Sequence, residues 1–175
     1  MLELSATRVS VVGCFAAPEA LDALAAAHDA HVCRVAPDEV MLVGEPDAAA
    51  TLVAAAIADA TAIDPDAVVL DTTGGWAIWS LAGDAAREAF ARLSAVELPD
   101  EGSTQGDVAH VPVRVIALPD RLHLVVPAMW REHLRERILA RCASLGVEEV
   151  TALAASCAAP RSCVGRSRSC ATTSW

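Results

Sequence analysis

Two stretches of the sequence, PDEVMLVGEP at residues 37–46 and PDRLHLVVP at residues 119–127, share one pattern. Each begins with a proline-aspartate turn, continues as a strand that contains a leucine-valine pair, and reaches a proline suited to the first turn of a helix. Proline is tolerated there because the N–H that it lacks would have no partner in the first helical turn. The recurrence indicates two similar halves, although a duplicated unit can serve any function.

The first 72 residues predict the element order β-α-β-β-α-β. Hydrophobic periodicity predicts strands at residues 8–15 (RVSVVGCF), 31–36 (HVCRVA) and 39–44 (EVMLVG), and a buried strand within AVVLDTT at residues 67–73. One helix is predicted to begin at Pro18 and a second at Pro46. Their apolar stripes contain Leu21, Leu24, Ala25 and His28 in the first helix and Leu52, Val53, Ala56 and Ile57 in the second. This order is that of a ferredoxin-like unit.

The second half repeats the alternation of strands and helices. Strands are predicted at residues 76–83 (WAIWSLAG), 110–118 (HVPVRVIAL) and 121–127 (RLHLVVP), with a polar loop at residues 99–107. Helices are predicted at residues 83–94, with Ala86, Phe90 and Leu93 facing inward, and at residues 128–142, with Trp130, Leu134, Ile138 and Cys142 on one stripe. The fold class predicted is α+β, with two ferredoxin-like βαββαβ halves in one body.

Composition excludes several classes of protein. The 175 residues are 54% hydrophobic and 21% charged with a mean hydropathy of +0.40, so the chain as a whole is not disordered. A net charge of −10 argues against a nucleic-acid partner. The sequence contains no apolar run of the roughly 20 residues that cross a membrane and begins with no export signal. We therefore expect a cytoplasmic protein whose cysteines are reduced thiols.

The charge changes sign near Gly146. Residues 1–150 contain 10 arginines and 23 acidic residues, a net charge of −13, whereas residues 151–175 contain three arginines and no acidic residue. The C-terminal part is also rich in serine, threonine and cysteine and has no apolar period. We therefore predict a folded domain at residues 1–146 and a disordered tail at residues 147–175.

The tail favours a second hypothesis, because each of its cysteines follows a serine. An acidic body followed by a peptide rich in hydroxyls and thiols is the organisation of a precursor whose tail is cyclised or crosslinked by peptide-modifying enzymes. The residues to be modified would be Ser156, Cys157, Ser162, Cys163, Ser169, Cys170, Thr172, Thr173 and Trp175. A disordered extension without a function has the same composition.

Three segments in the same order resemble the gamma subunit of heterotetrameric sarcosine oxidase and, more distantly, the folate-binding domain of the aminomethyltransferases (T-proteins). They are residues 37–44 (PDEVMLVG); residues 70–75 (LDTTGG) with 81–87 (LAGDAAR); and residues 124–127 (LVVP), which lead into Trp130, His133 and Leu134. The resemblance implies a body of paired ferredoxin-like units. It also implies a noncatalytic subunit that packs against larger oxidase subunits, in which FMN or FAD and tetrahydrofolate would be bound.

The resemblance also implies whether this chain can perform folate chemistry. The acid that acts on folate in T-proteins has its nearest match here at Glu97, and the carboxylate pair that follows the Gly-Gly turn in T-proteins is missing. We therefore expect no folate chemistry from this chain alone, and no cofactor bound by it alone.

The sequence offers few candidates for chemistry of its own. Asp71 ends a strand before Thr72 and Thr73, where a carboxylate either binds a ligand or hydrogen-bonds the local backbone. His28, His31 and Cys33 have no second cluster at zinc-ligand spacing, so no metal site is predicted. No Gly-x-Ser-x-Gly motif occurs, so no catalytic residue is assigned.

Two tryptophans are candidates for a partner interface. Trp76 and Trp79 are three residues apart on a predicted strand, so their side chains point to opposite faces. One of them therefore lies either under a partner or in a second layer of core.

Overall fold

The computed structural model describes residues 1–28 and 30–150 as two β-sheets packed face to face, with two helices on the outer side of each sheet. The ten strands are β1 (Leu2–Thr7), β2 (Ser10–Phe15), β3 (His31–Ala36), β4 (Glu39–Gly44), β5 (Val68–Asp71), β6 (Trp76–Ala82), β7 (Gly102–Val108), β8 (Val111–Ala117), β9 (Arg121–Pro127) and β10 (Val147–Val150). The four helices are α1 (Pro18–Ala27), α2 (Ala49–Thr61), α3 (Ala86–Leu93) and α4 (Arg131–Cys142). The predicted α+β class is confirmed.

The first ferredoxin-like unit consists of β2, α1, β3, β4, α2 and β5 in chain order. Its sheet has the strand order β3-β4-β2-β5, so the first and third strands of the unit are central. Helices α1 and α2 cover one face through a core that includes Leu21, Leu24 and Ala56. The predicted buried strand at residues 67–73 is wrong in one respect: β5 is an edge strand, and Val68 and Leu70 are about half exposed.

The second unit takes its fourth strand from the N-terminus of the chain. Its sheet has the order β10-β1-β6-β9-β8-β7, in which β1 runs antiparallel to β6 at the place that β5 occupies in the first unit. Leu2 and Leu4 of β1 are fully buried beneath α3 and α4. No strand was predicted at β1, and a loop was predicted where the structure has β7. The sequence of β7 (GSTQGDV) has no apolar periodicity, and pairing with β8 holds it as a strand.

The end of the body also differs from the prediction. Residues 147–150, assigned to the tail, form β10, which pairs in parallel with β1. Arg135 of α4 donates two hydrogen bonds to the carboxylate of Glu149, which ties β10 to the helix. The sheet therefore extends four residues beyond the predicted boundary at Gly146.

Two predicted helix starts are displaced towards the C-terminus. The segment at Pro46 forms a turn in which Asp47 has a positive φ of 66°, so α2 begins at Ala49. Pro127 leads into a 3₁₀ turn at Ala128–Trp130 before α4 begins at Arg131. Trp130 is the N-cap of α4 and has non-helical backbone angles, φ of −98° and ψ of 3°. It therefore leaves the stripe of Leu134, Ile138 and Cys142 and is 40% exposed. Its predicted place in the core is therefore wrong.

Three apolar clusters stabilise the fold. One lies between α1, α2 and the first sheet, one between α3, α4 and the second sheet, and one between the two sheets. Cys14 and Cys142 are fully buried in the helix-covered clusters, as predicted for small apolar residues. Within residues 1–28 and 30–150 no helix has the length and apolar character to cross a bilayer.

Candidate functional site

A polar cleft of about 420 Å³ opens where β1 passes into β2. It is bordered by the turn after β5, the first residues of β6, the segment before α2 and the first residue of α4. Its charged side chains belong to Arg8, Asp47, Asp71 and Arg131. The cleft therefore brings together two predicted site residues, Asp71 and Trp76, and three charged residues that were not predicted to lie near them.

The turn after β5 is fixed by two adjacent threonines. Thr72 donates its backbone N–H to the carbonyl oxygen of Val11 at 2.9 Å, and its hydroxyl donates to the same oxygen at 3.2 Å. The hydroxyl of Thr73 accepts from the N–H of Val11 at 2.9 Å. These bonds hold the turn against β2 and place Trp76 at the start of β6.

Asp71 makes the local hydrogen bond that is typical of aspartate in a turn. Its Oδ1 accepts from the backbone N–H of Thr73 at 2.9 Å. Hydrogen bonding to Thr73 lowers the pKa of Asp71, so the carboxylate is ionised near neutral pH and is a poor proton acceptor. The backbone alternative is thus observed, and a ligand-binding role for Asp71 stays a prediction.

The arginines of the cleft already contact acidic side chains. Arg8 lies 3.4 Å from Asp47, and both side chains are 83% exposed. Arg131 lies 3.6 Å from Glu132. The cleft thus has charged groups of both signs near solvent, an arrangement suited to binding a small polar group. Among its described residues none forms the hydrogen-bonded pair of nucleophile and base that covalent catalysis requires.

Trp76 and Trp79 point to opposite faces of β6, as predicted. Trp76 packs with the cluster between the sheets, where the guanidinium of Arg114 lies 4.6 Å from its ring centroid. Trp79 is 4% exposed beneath α4 and donates its Nε1–H to the carbonyl oxygen of Arg131 at 3.0 Å. Trp79 therefore belongs to a layer of core, the second of the two alternatives. Trp76 is half-buried and lines the polar cleft, so its interface role stays a prediction. An interface role would need a surface that Trp79 does not have.

The other predicted site residues lie apart from the cleft. Glu97 is exposed in the segment between α3 and β7 and does not border the cleft. The residues assigned to tail modification (Ser156, Cys157, Ser162, Cys163, Ser169, Cys170, Thr172, Thr173 and Trp175) lie outside the described residues. Within residues 1–28 and 30–150, no group of three His, Cys, Asp or Glu side chains is arranged to bind a metal ion.

A row of three polar side chains, Thr7, Ser80 and His123, lies between the two sheets and was not predicted from the sequence. Ser80 on β6 is hydrogen-bonded to Thr7 on β1 and to Nδ1 of His123 on β9, the latter at 2.6 Å. Burial lowers the pKa of His123 to about 4, so the imidazole is neutral near pH 7. Ser80 and His123 are 4% and 2% exposed, so substrate has no access to this pair. The feature of the sequence that indicates this buried pair is the position of His123 within an otherwise apolar strand.

The buried cysteines are equally unreactive. Burial raises the pKa of both Cys14 and Cys33 to about 11, so their thiols stay protonated near neutral pH. The thiolate is the nucleophilic form of cysteine, so these two side chains are poor nucleophiles.

The two sides of the sheet sandwich differ in how they are closed. On one side, β7 reaches across to β3: Ser103 donates to the carbonyl oxygen of Val32, and Gln105 donates to that of Val35. On the other side, neither β1 nor β5 supplies a residue to the apolar cluster between the sheets. Here Phe15, Val68 and Leu70 are 39%, 48% and 50% exposed, and we call these three residues the β5 patch. The sandwich therefore leaves an apolar face open along β5.

Comparison with solved structures identifies proteins that have a similar architecture. The chain is similar to a chain of the heterotetrameric sarcosine oxidase from Corynebacterium sp. U-96, with a TM-score of 0.68 and 18% identity over 85% of this chain and 87% of that one. It is also similar to the glycine cleavage system aminomethyltransferase T from Bartonella henselae, with a TM-score of 0.64 and 15% identity. The latter match covers 85% of this chain but spans 47% of the aminomethyltransferase. No family model and no curated protein sequence matches.

Together these likenesses establish the fold. The body has the fold shared by a sarcosine oxidase chain and an aminomethyltransferase, with ferredoxin-like units. The predicted aminomethyltransferase-like architecture is confirmed.

Proposed function

We propose that this chain is a noncatalytic, gamma-like subunit of a sarcosine oxidase or a related amine-demethylating complex. The observation that carries the proposal is the two-way coverage of the match to the sarcosine oxidase chain, 85% of this chain and 87% of that one. This match covers most of both chains, whereas the aminomethyltransferase match covers less than half of the other protein. The fold alone is compatible with many functions, so the site must agree with the proposal.

The polar cleft and the buried groups agree with a noncatalytic role. Asp71 is a poor proton acceptor because its pKa is lowered, and the Ser80–His123 pair is sealed between the sheets. Flavin and tetrahydrofolate would accordingly be bound by the larger partner subunits. The β5 patch is the kind of exposed apolar surface by which one subunit contacts another.

The test is purification of the tagged full-length chain from cells that express it together with the proteins encoded beside it. We expect a complex that shows flavin absorbance and consumes oxygen when an N-methyl amino acid is added. The separated chain should show neither oxidase nor aminomethyltransferase turnover. Turnover by the isolated chain, or a complex without a flavoprotein, would contradict the proposal.

A further inference from the structure

The strand β5 has an unpaired edge. It is the outermost strand of its sheet and is hydrogen-bonded to β2 alone among the described residues. Thr72 donates its N–H to Val11, and the donors of an antiparallel ladder alternate from one residue to the next. The register Gly13↔Leu70 and Cys14↔Val69 then directs the N–H groups of Val69 and Asp71 away from β2. These two amides are available to another strand.

The open edge adjoins the β5 patch. Val68 and Leu70 point to the inward face of the sheet, the face that packs against the second sheet elsewhere. The ring of Phe15 lies along Gly13, since a Cβ at Gly13 would be 3.5 Å from that ring. An edge strand presents unpaired N–H and C=O groups to which another strand can pair, and β5 presents those of Val69 and Asp71 beside an apolar surface.

The three segments that meet at the patch are acidic, and Arg8 and Arg131 border the polar cleft at the Asp71 end of β5. Residues 13–19, 37–39 and 63–75 meet here: Glu39 pairs with Phe15, and the carboxylate of Asp64 accepts the N–H of Ala17. These segments contain six acidic residues and no Arg, Lys or His: Glu19, Asp38, Glu39, Asp64, Asp66 and Asp71. A segment that docks here would therefore need basic side chains around an apolar centre.

We propose that an extended strand of the larger flavoprotein subunit pairs with the outer edge of β5. Its backbone would bond the amides of Val69 and Asp71, its apolar side chains would cover Phe15, Val68 and Leu70, and flanking arginines or lysines would face the acidic rim. The inference rests on the proposed function for the identity of the partner. Strand addition to an exposed sheet edge is a recurring mode of recognition, with affinity from the backbone and specificity from alternate side chains.

Charge favours this occupant over a second copy of the chain. Two β5 edges brought together would bring Asp64, Asp66 and Asp71 of one copy close to the same acidic residues of the other. Like charges opposed across an interface are unfavourable.

The test compares the tagged full-length chain with Leu70→Asp and with a matched control, Ile57→Asp, each expressed with the flavoprotein. Ile57 is 43% exposed on α2, on the helix-covered side of the sheet, whereas Leu70 is 50% exposed on the β5 patch. Both variants add one negative charge at a half-exposed apolar position. We expect Leu70→Asp to bind the flavoprotein about 30-fold more weakly or worse, and Ile57→Asp to bind as the natural chain does.

Hydrogen exchange on the natural sequence provides a second measurement that needs no variant. In the free chain the amides of Val69 and Asp71 should exchange rapidly while that of Thr72, which is bonded to Val11, is protected. In the complex all three should be protected.

Each outcome has a defined meaning. A flavoprotein complex in which Leu70→Asp binds normally and Val69 and Asp71 stay unprotected overturns the edge-pairing proposal and leaves the proposed function intact. Failure of the natural chain to bind any flavoprotein overturns the proposed function and the partner named here. Protection of Val69 and Asp71 in the free chain, as a monomer or as a dimer, would show that this chain or a second copy covers the edge.

Discussion

The fourth strands of the two ferredoxin-like units occupy equivalent places and have opposite environments. In the second unit β1 is flanked by β10 and buries Leu2 and Leu4 completely. In the first unit β5 has no strand beyond it among the described residues, and Val68 and Leu70, which point towards the second sheet and not towards the helices, are half exposed. Among the described residues, an additional strand therefore covers one edge of the sandwich, whereas the edge at β5 is the one to which we propose that a partner strand pairs.

The largest expected effect comes from the core against which β1 packs. Trp79 lies beside Ala6 of β1, is 4% exposed and donates a hydrogen bond to Arg131. We expect Trp79→Ala to lower the free energy of unfolding by about 3 to 5 kcal/mol. Trp130→Ala should cost less than about 1 kcal/mol because Trp130 is 40% exposed. Denaturant unfolding of both variants measures these costs, and equal losses would mean that α4 begins earlier and buries Trp130.

The same substitution in the two fourth strands tests the comparison directly. Leu4 is fully buried in β1, and Leu70 is 50% exposed in β5. Leu4→Ala should destabilise the isolated chain by about 2 to 5 kcal/mol. Leu70→Ala should change stability by less than about 1 kcal/mol. Similar losses for both variants in chemical denaturation would show that β5 is covered in the free chain.

The polar row beside β1 predicts a pH dependence. The folded-state pKa of His123 is about 4, while an unfolded histidine titrates near about 6.5. Between these values the unfolded chain binds a proton that the folded chain does not, so stability falls as the pH drops from 6.5 towards 4. The loss should total about 3 kcal/mol by pH 4.

A variant that lacks only the His123 imidazole isolates this contribution from that of the many carboxylates. His123→Asn retains a polar side chain between the sheets but cannot titrate. Its unfolding free energy, measured between pH 4 and 7, should fall less steeply than that of the natural chain. Parallel slopes for the two proteins would show that His123 is not the group that titrates.

The sequence predicted the first unit well because its signals are local. Alternating apolar residues, the turn at Pro37-Asp38 and the proline at position 18 lie within single elements, and the structure confirms α1, β3 and β4 at their predicted residues. The strands β1, β7 and β10 depend instead on pairing between distant parts of the chain. Short or polar strands of this kind have little hydrophobic periodicity, so their sequences alone do not predict them.

The features of the candidate site also fall into two groups, those that local sequence predicts and those that depend on pairing between distant residues. The hydrogen bond of Asp71 to its own turn followed from local sequence, as did the opposite orientation of Trp76 and Trp79. The Ser80–His123 bond joins residues 43 apart and depends on the register of β6 against β9. The open edge of β5 depends on strand order, which no single segment of the sequence specifies.

The smallest effects should appear at β10, the strand that covers β1. Glu149 accepts two hydrogen bonds from Arg135, whereas Glu148 lies beside Glu3 of β1 in the parallel register. Glu149→Gln removes an attraction, so the amides of residues 147–150 should exchange faster. Glu148→Gln removes a repulsion between like charges, so the same amides should exchange more slowly. Both variants change the net charge equally, and a shift of the same sign in both would mean that total charge, and not these two contacts, holds β10 against β1.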